Sequence, residues 1–198
     1  MSTDAAYGDP DTRRRILDAT WALVAEQGAR VRLADVAARA SVSRQALYLH
    51  FGDRSGLLVA LVQYMDETLD LGESLAAVNA APDGPALIEA TMRLNTRFWT
   101  QVLPVAQVLE VARHDDDDLA AAWRDRMSFR QAAFRGIVET LAARDQLAPD
   151  WSVDDATATV YAVAHFDTWR ELVVEFGWSD DRYVEVMSRL LGGAMLSS

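Results

Sequence analysis

A chain of 198 residues with 51% hydrophobic content can form one domain or two small ones with a sizeable core, and nothing in it approaches an uninterrupted transmembrane span. It has no cysteine and no lysine, which excludes disulfides, thiolate metal sites, lysine Schiff bases and phosphate loops that need a lysine; lack of cysteine fits a cytosolic address. The net charge of −11 is unevenly spread: residues 12–56 carry eight arginines against four acids, a net +4, whereas residues 61–198 carry 11 arginines and 23 acids, a net −12.

Met1–Gly8 reads as a disordered tail, too acidic and polar for a signal peptide. Asp9-Pro10 then has the form of a helix start, with Asp as cap and Pro at the first helical position. The first helix runs to about Gln27, with Ile16, Leu17, Thr20, Leu23 and Val24 inward and Gly28 as its stop. Arg13–Arg15 can reach a phosphate or form a solvated surface.

Leu33, Val36, Ala37 and Ala40 fall at helical spacing, Ser41-Val42-Ser43 interrupts them, and a second short helix buries Ala46, Leu47 and Phe51. Two short helices joined by such a turn form a helix-turn-helix, whose second helix can enter a DNA major groove. Gln45 suits an adenine edge and Arg44 a guanine edge or a phosphate. Tyr48, His50 and Arg54 suit backbone contacts. On spacing alone, an αα-hairpin with a solvated polar face stays open.

Residues 13–62 resemble the DNA-binding domain of the tetracycline-repressor (TetR) family. The resemblance rests on Ile16-Leu17, Ala19, Leu23, Gly28, Val36-Ala37, Ala40, Val42-Ser43 and Leu57-Leu58. Its most specific piece is Leu47-Tyr-Leu-His-Phe51, similar to the family's L-Y-x-H-F signature. It departs where Arg32 replaces a small hydroxyl residue, Ser41 the turn glycine and Arg54 a lysine. The resemblance implies an N-terminal domain over residues 9–56 that reads DNA through Arg32, Ser43, Arg44, Gln45, Tyr48, His50 and Arg54. It also implies a helical effector-binding and dimerisation domain over residues 57–198.

Asp53 caps a long fourth helix through Leu69, the expected lever between the two parts, with Gly56 and Gly72 each lowering helix propensity at its ends by roughly 1 kcal/mol relative to alanine. After a turn at 80–85, a fifth helix runs to about Leu103 and breaks at Pro104. A sixth covers Val105–His114 and a seventh Asp115–Asp145. Ser152-Val-Asp-Asp155 resembles a capping box opening an eighth helix that reaches Phe176 or Gly177. Ser179 starts a ninth, ending near Gly192-Gly193. The fold class is all-α, with about nine helices and no sheet.

Thr91 and Asn95 interrupt the apolar stripe of the fifth helix. They either bond within the core or orient a small molecule in a cavity. Effector candidates are Met92, Asn95, Trp99, Trp123, Met127, Phe134, His165, Phe166 and Trp169, with His165 and Trp169 on one face of the eighth helix. Its alanines and the apolar stripe Tyr183, Val186, Met187, Leu190 and Leu191 of the ninth suit a four-helix homodimer interface, which is how members of the resembled family dimerise. The run His114–Asp118 fits helix dipoles better than a metal. No catalytic constellation is found and no cofactor is implied.

The chain therefore reads as a transcription regulator, in the usual case a repressor. Its partners are a double-stranded, palindromic DNA operator and a small-molecule effector that releases it; no membrane is involved. The rivals are an effector-free DNA-binding adaptor, and a helical carrier or enzyme with a vestigial helix-turn-helix.

Overall fold

The computed structural model describes residues 9–197, so the Met1–Gly8 tail lies outside the described residues. Within them the chain is all-α: ten helices, no strand, and one antiparallel bridge between Leu147 and Leu196. No helix among the described residues is long and apolar enough to cross a membrane. The chain forms two compact units. Among the described residues, one comprises those up to Leu69 together with Pro104–Asp125; the other comprises Asp70–Leu103 and those from Arg126 onward.

In the first unit, helix α1 (Pro10–Gln27) starts under Asp9, whose carboxylate accepts from the Asp11 N–H, and stops at Gly28 with φ 59°. Helices α2 (Leu33–Arg39), α3 (Arg44–Phe51) and α4 (Arg54–Thr68) follow, α1 packing on α2 and α4, and α3 on α2 and α4. Their shared core is Ile16, Leu17, Val36, Leu47, Leu57 and Leu61, each at most 2% exposed. Burial of aliphatic side chains of this size stabilises by roughly 1.5–3 kcal/mol each, which outweighs the weak propensity of a helix as short as α2. Asp53 caps α4 by accepting from the Gly56 N–H at 2.8 Å. The Tyr64 hydroxyl of α4 donates to Asp18 of α1 at 2.6 Å, and that bond raises the phenol's pKa.

The second unit contains α5 (Gly72–Asn79), a helix absent from the expected set, opening at a glycine without a side-chain cap. Helix α6 (Gly84–Ala112) corrects the expected break at Pro104, because it runs through the proline as one element. Pro104 cannot donate to the carbonyl one turn back, a loss of about 3 kcal/mol in a helix interior. Trp99 and Val102 before it, and Val105, Val108 and Leu109 after it, are all buried, and their packing overrides the local cost. Pro104 also marks the boundary between the two units along α6. Helix α7 (Asp117–Ala143) begins under Asp116, whose carboxylate accepts from the Leu119 N–H at 3.0 Å.

A second correction concerns the helix expected from 153 to about 176. Helix α8 (Val153–Val163) ends at Ala164, His165 is extended (ψ 150°), and α9 (Phe166–Trp169) restarts the chain before a π-helical turn, Arg170–Glu175. His165 and Trp169 therefore do not continue the face of Ala158 and Ala162. Ser152 caps α8 through Asp155 N–H at 3.0 Å, but its own hydroxyl donates to the Asp155 carboxylate at 2.6 Å. Aspartate thus bonds the cap's hydroxyl, where the longer glutamate of a capping box reaches back to the backbone. Helix α10 (Asp180–Met195) starts under Ser179, as expected, and runs past Gly192-Gly193.

Candidate nucleic-acid interface and buried arginine cluster

The α2–α3 turn is closed by backbone bonds from Ser41 N to Ala38 O (3.1 Å) and Val42 N to Ala37 O (2.9 Å). Ser41 takes a left-handed conformation at φ 55°, so the turn keeps the geometry that a glycine would adopt more readily. Ser43 caps α3, its hydroxyl accepting from the Ala46 N–H at 3.0 Å. With Leu47 and Phe51 buried, the period of the helix leaves Arg44, Gln45 and Tyr48 exposed at its front.

The rest of the expected DNA-contacting set divides by surroundings. Arg32 is exposed at the start of α2 and makes no capping bond. Arg54 is exposed, and its Nη2 donates to the Ala29 carbonyl at 2.9 Å, which fixes the side chain against the Gly28–Arg30 turn. His50 is half-buried, its ring tilted on Phe51 and its Nε2 buried without a partner. Beside this face, Arg39 is held by Glu26 at 2.7 Å, a pair that lowers the carboxyl's pKa and raises the guanidinium's. Ser55, next to Arg54, donates to Asp116, the cap of α7, and that bond holds the Asp116 carboxyl below its usual range.

In the second unit, Arg130 of α7 sits among aromatic rings. Its guanidinium carbon lies 4.3 Å from the Trp99 ring centroid, 5.0 Å from Phe134 and 5.3 Å from Phe98. Nη2 donates to Asn95 Oδ1 at 2.9 Å and to the Ala164 carbonyl at 3.1 Å. The amide of Asn95 donates in turn to the Tyr183 hydroxyl at 3.3 Å, which donates to the Val163 carbonyl at 3.3 Å. Trp99 Nε1 also donates to Ala164, at 3.0 Å.

These bonds explain the end of α8. The carbonyls of Val163 and Ala164 take donors from α6, α7 and α10, so the chain can leave the helix without burying bare acceptors. Burial pushes the Arg130 guanidinium down to about 10, with Tyr161 and Tyr183 pulling it back, so it stays charged at neutral pH. Burial likewise pushes the Tyr183 phenol up to about 12, against the Asn95 bond and the Arg130 charge.

Residues 16–61 match the family model described as bacterial regulatory proteins, tetR family. The probable HTH-type transcriptional regulator ArpR of Pseudomonas putida is 28% identical over 162 residues, spanning 77% of this chain and 76% of that protein. The N-terminal part of the chain is thus similar to the DNA-binding domain of the TetR family of bacterial transcriptional regulators. Two solved structures share the fold. A regulator from Saccharomonospora viridis in complex with choline superposes with TM-score 0.80 over 94% of this chain and 98% of that one, at 16% identity. FadR of Bacillus subtilis in complex with stearoyl-CoA gives 0.72 over 90% and 96%, at 13% identity.

Among the effector candidates, Asn95, Trp99 and Phe134 converge on Arg130. Phe166 packs edge-on to Trp99 with ring centroids 5.7 Å apart, and His165 lies tilted between Phe166 and Tyr161, at centroid distances of 4.5 and 6.0 Å. Met92 is fully buried, Met127 is half-buried on α7, and Trp169 is buried with its indole N–H unpartnered. Trp123 belongs to the first unit, where Arg113 lies 5.2 Å over its ring. Thr91 bonds the Leu87 carbonyl one turn back at 2.7 Å. Among the described residues no three His, Cys, Asp or Glu side chains converge on a metal position.

Sequence reasoning missed Arg130, Tyr161 and Phe98 as site residues and assigned Tyr183 to a dimer face. A signal for Arg130 was present. It occupies the stripe Leu119, Trp123, Met127, Arg130, Phe134, Val138 and Leu141, at steps of three and four, where every other member is apolar. An arginine in a core stripe requires partners, and those come from three other helices.

Proposed function

We propose that the chain binds a palindromic operator as a homodimer, usually repressing, and that a small-molecule effector held in the second unit releases it. The observation carrying this reading is the front of α3: a capped, anchored helix offering Arg44, Gln45 and Tyr48 to solvent, with Arg32 and Arg54 exposed nearby. Gln45 reads base edges; Arg44 reads or grips; Tyr48, Ser43, His50 and Arg54 hold the backbone. Residues 9–56 act as the reading head and the remainder as the effector and dimerisation part. In this reading the chain binds and releases, and catalyses nothing.

Dimerisation is supported by what α8 and α10 leave uncovered. Ala158 and Ala162 on α8, and Leu190, Gly193 and Ala194 on α10, are exposed, Leu190 at 55%. Small residues of this kind allow two helices from each protomer to approach closely. Effector binding is supported by the polar and aromatic cluster around Arg130, and by the choline and stearoyl-CoA complexes of the structural neighbours. Helices α6 and α7 each contribute to both units, and the cap of α7 bonds α4 at Ser55–Asp116 within the first, a route by which an effector can shift the reading head.

The test starts with selection of binding sites from a random duplex library using the full chain. Inverted repeats are expected, with half-sites roughly 34–36 Å apart or a multiple of that. On the recovered operator, Gln45→Ala is expected to lose roughly 1–3 kcal/mol and to relax preference at one position per half-site. Arg54→Ala is expected to weaken all sequences alike and to flatten the salt dependence by about one unit per contact. Recovery of no preferred site, or identical slopes and specificities for all three proteins, would refute the assignment.

A further inference from the structure

We infer that Arg130 is the charge anchor for an anionic effector, a carboxylate or a group of like charge on an apolar or aromatic body; this rests on the effector reading above. The inference follows from donor accounting. An arginine carries five N–H donors, and the two on Nη2 are committed to Asn95 Oδ1 and the Ala164 carbonyl. That leaves the two on Nη1 and the one on Nε with no acceptor among the described residues. No carboxylate of the described residues pairs with Arg130, although the chain's acids outnumber its arginines by 30 to 19. Every neighbour it does have is neutral: one amide, one helix-end carbonyl and several rings.

The partial negative charge at the end of α8 offsets part of the cation and cannot neutralise it. Arg130 is part-buried, and a part-buried charge without a counter-ion is an arrangement that a ligand carrying the opposite charge improves. Arginine is suited to this role because its planar fork matches a carboxylate or phosphate while rings cover its faces. Two hydroxyls on the helices that line the cluster also lack partners. Thr96 adjoins Asn95 on α6, and Thr157 stands one turn before Tyr161 on α8; both are buried, and neither hydroxyl is bonded.

The same geometry argues against a quaternary ammonium here. Such a ligand needs open aromatic faces within about 6 Å, and one face each of Phe98, Trp99 and Phe134 is already covered by the protein's own cation. A second positive charge would meet the first. The fold places no such limit, since its neighbours were solved with choline and with an acyl-CoA, so the side chains of this site decide the class.

Calorimetric titration of the full chain with matched probes tests the inference. The probes are 4-phenylbutyrate, its primary amide and 4-phenylbutyl-trimethylammonium, with decanoate and decanamide as a second body; each is also assayed for release of selected operator DNA. The carboxylates are expected to bind about 10–100-fold more tightly than the amides, and the ammonium not at all. Arg130→Gln is expected to erase the carboxylate preference while binding operator as the wild type does. If that variant does not fold, the charge preference of the wild type decides alone. Equal binding of acid and amide, preference for the ammonium, or a carboxylate preference that survives in Arg130→Gln overturns the inference. Operator release by a neutral or cationic probe keeps the effector reading and overturns only the anion; no binding by any probe counts against both.

Discussion

Ser41 holds a left-handed conformation at φ 55°, which costs a residue with a side chain roughly 1–2 kcal/mol. Glycine would remove that strain but gain freedom in the unfolded chain, so part of the relief is lost. Ser41→Gly should therefore raise stability by roughly 1 kcal/mol in urea unfolding, with DNA affinity unchanged; an unchanged or lower midpoint would show that the serine is unstrained. Tyr183 carries a different residue-scale consequence. Its phenol is pushed from 10 up to about 12 by burial. A raised pKa means the fold prefers the protonated phenol, so this contribution is fully present below pH 10 and is lost as pH rises toward 12. Relative to Tyr183→Phe, the wild type should lose roughly 2–3 kcal/mol across that window. Thermal unfolding of both proteins at pH 8 and pH 11, where about half of that loss is reached, checks it, and parallel declines would mean that Tyr183 titrates normally.

At the scale of the element, intrinsic propensity and tertiary contact disagree at Gly56. Alanine is the better helix former by roughly 1 kcal/mol, and Gly56 sits in the first turn of α4. A Cβ there would fall inside the van der Waals surface of the Phe51 carbonyl oxygen, a backbone atom that cannot step aside alone. Gly56 is therefore what allows α3 to close onto α4. Gly56→Ala should destabilise the chain by about 2 kcal/mol or more and weaken operator binding through a displaced α3. A gain in unfolding midpoint would instead restore the propensity argument. Pro104 and the end of α8 are the same contest seen elsewhere. Burial on both sides carries α6 through its proline, while three tertiary donors end α8 where no proline or glycine stands.

At the scale of the molecule, acidic and basic residues are segregated, and the stripe left open on α8 and α10 has no cover among the described residues. Burying exposed Leu190 with the alanines and glycine around it against a symmetric copy is the arrangement that a two-fold reader of inverted repeats needs. Sedimentation at micromolar concentration should give about twice the 21.9 kDa chain mass. Leu190→Arg should shift the protein toward monomer and reduce operator affinity with the reading helix untouched. A wild-type monomer that still binds inverted repeats cooperatively would remove α8 and α10 from the interface.

What the sequence by itself determined are the features whose partners lie within one turn. Asp9, Ser43, Asp53, Ser152 and Ser179 each cap a helix by reaching an N–H two or three residues on, so the starts of α1, α3, α4, α8 and α10 were legible. The helix-turn-helix is local in the same sense, and its exposed side chains follow from the period of one short helix. Only tertiary structure decided the Arg130 cluster. Its members come from α6, α7, α8 and α10, and the Asn95–Tyr183 contact joins residues 88 apart. Whether Asn95 meets water, a ligand or a phenol depends on which helix arrives opposite it. The boundary of α8 depends on donors from elsewhere, since a carbonyl leaves its own helix only when another N–H or O–H is there to receive it.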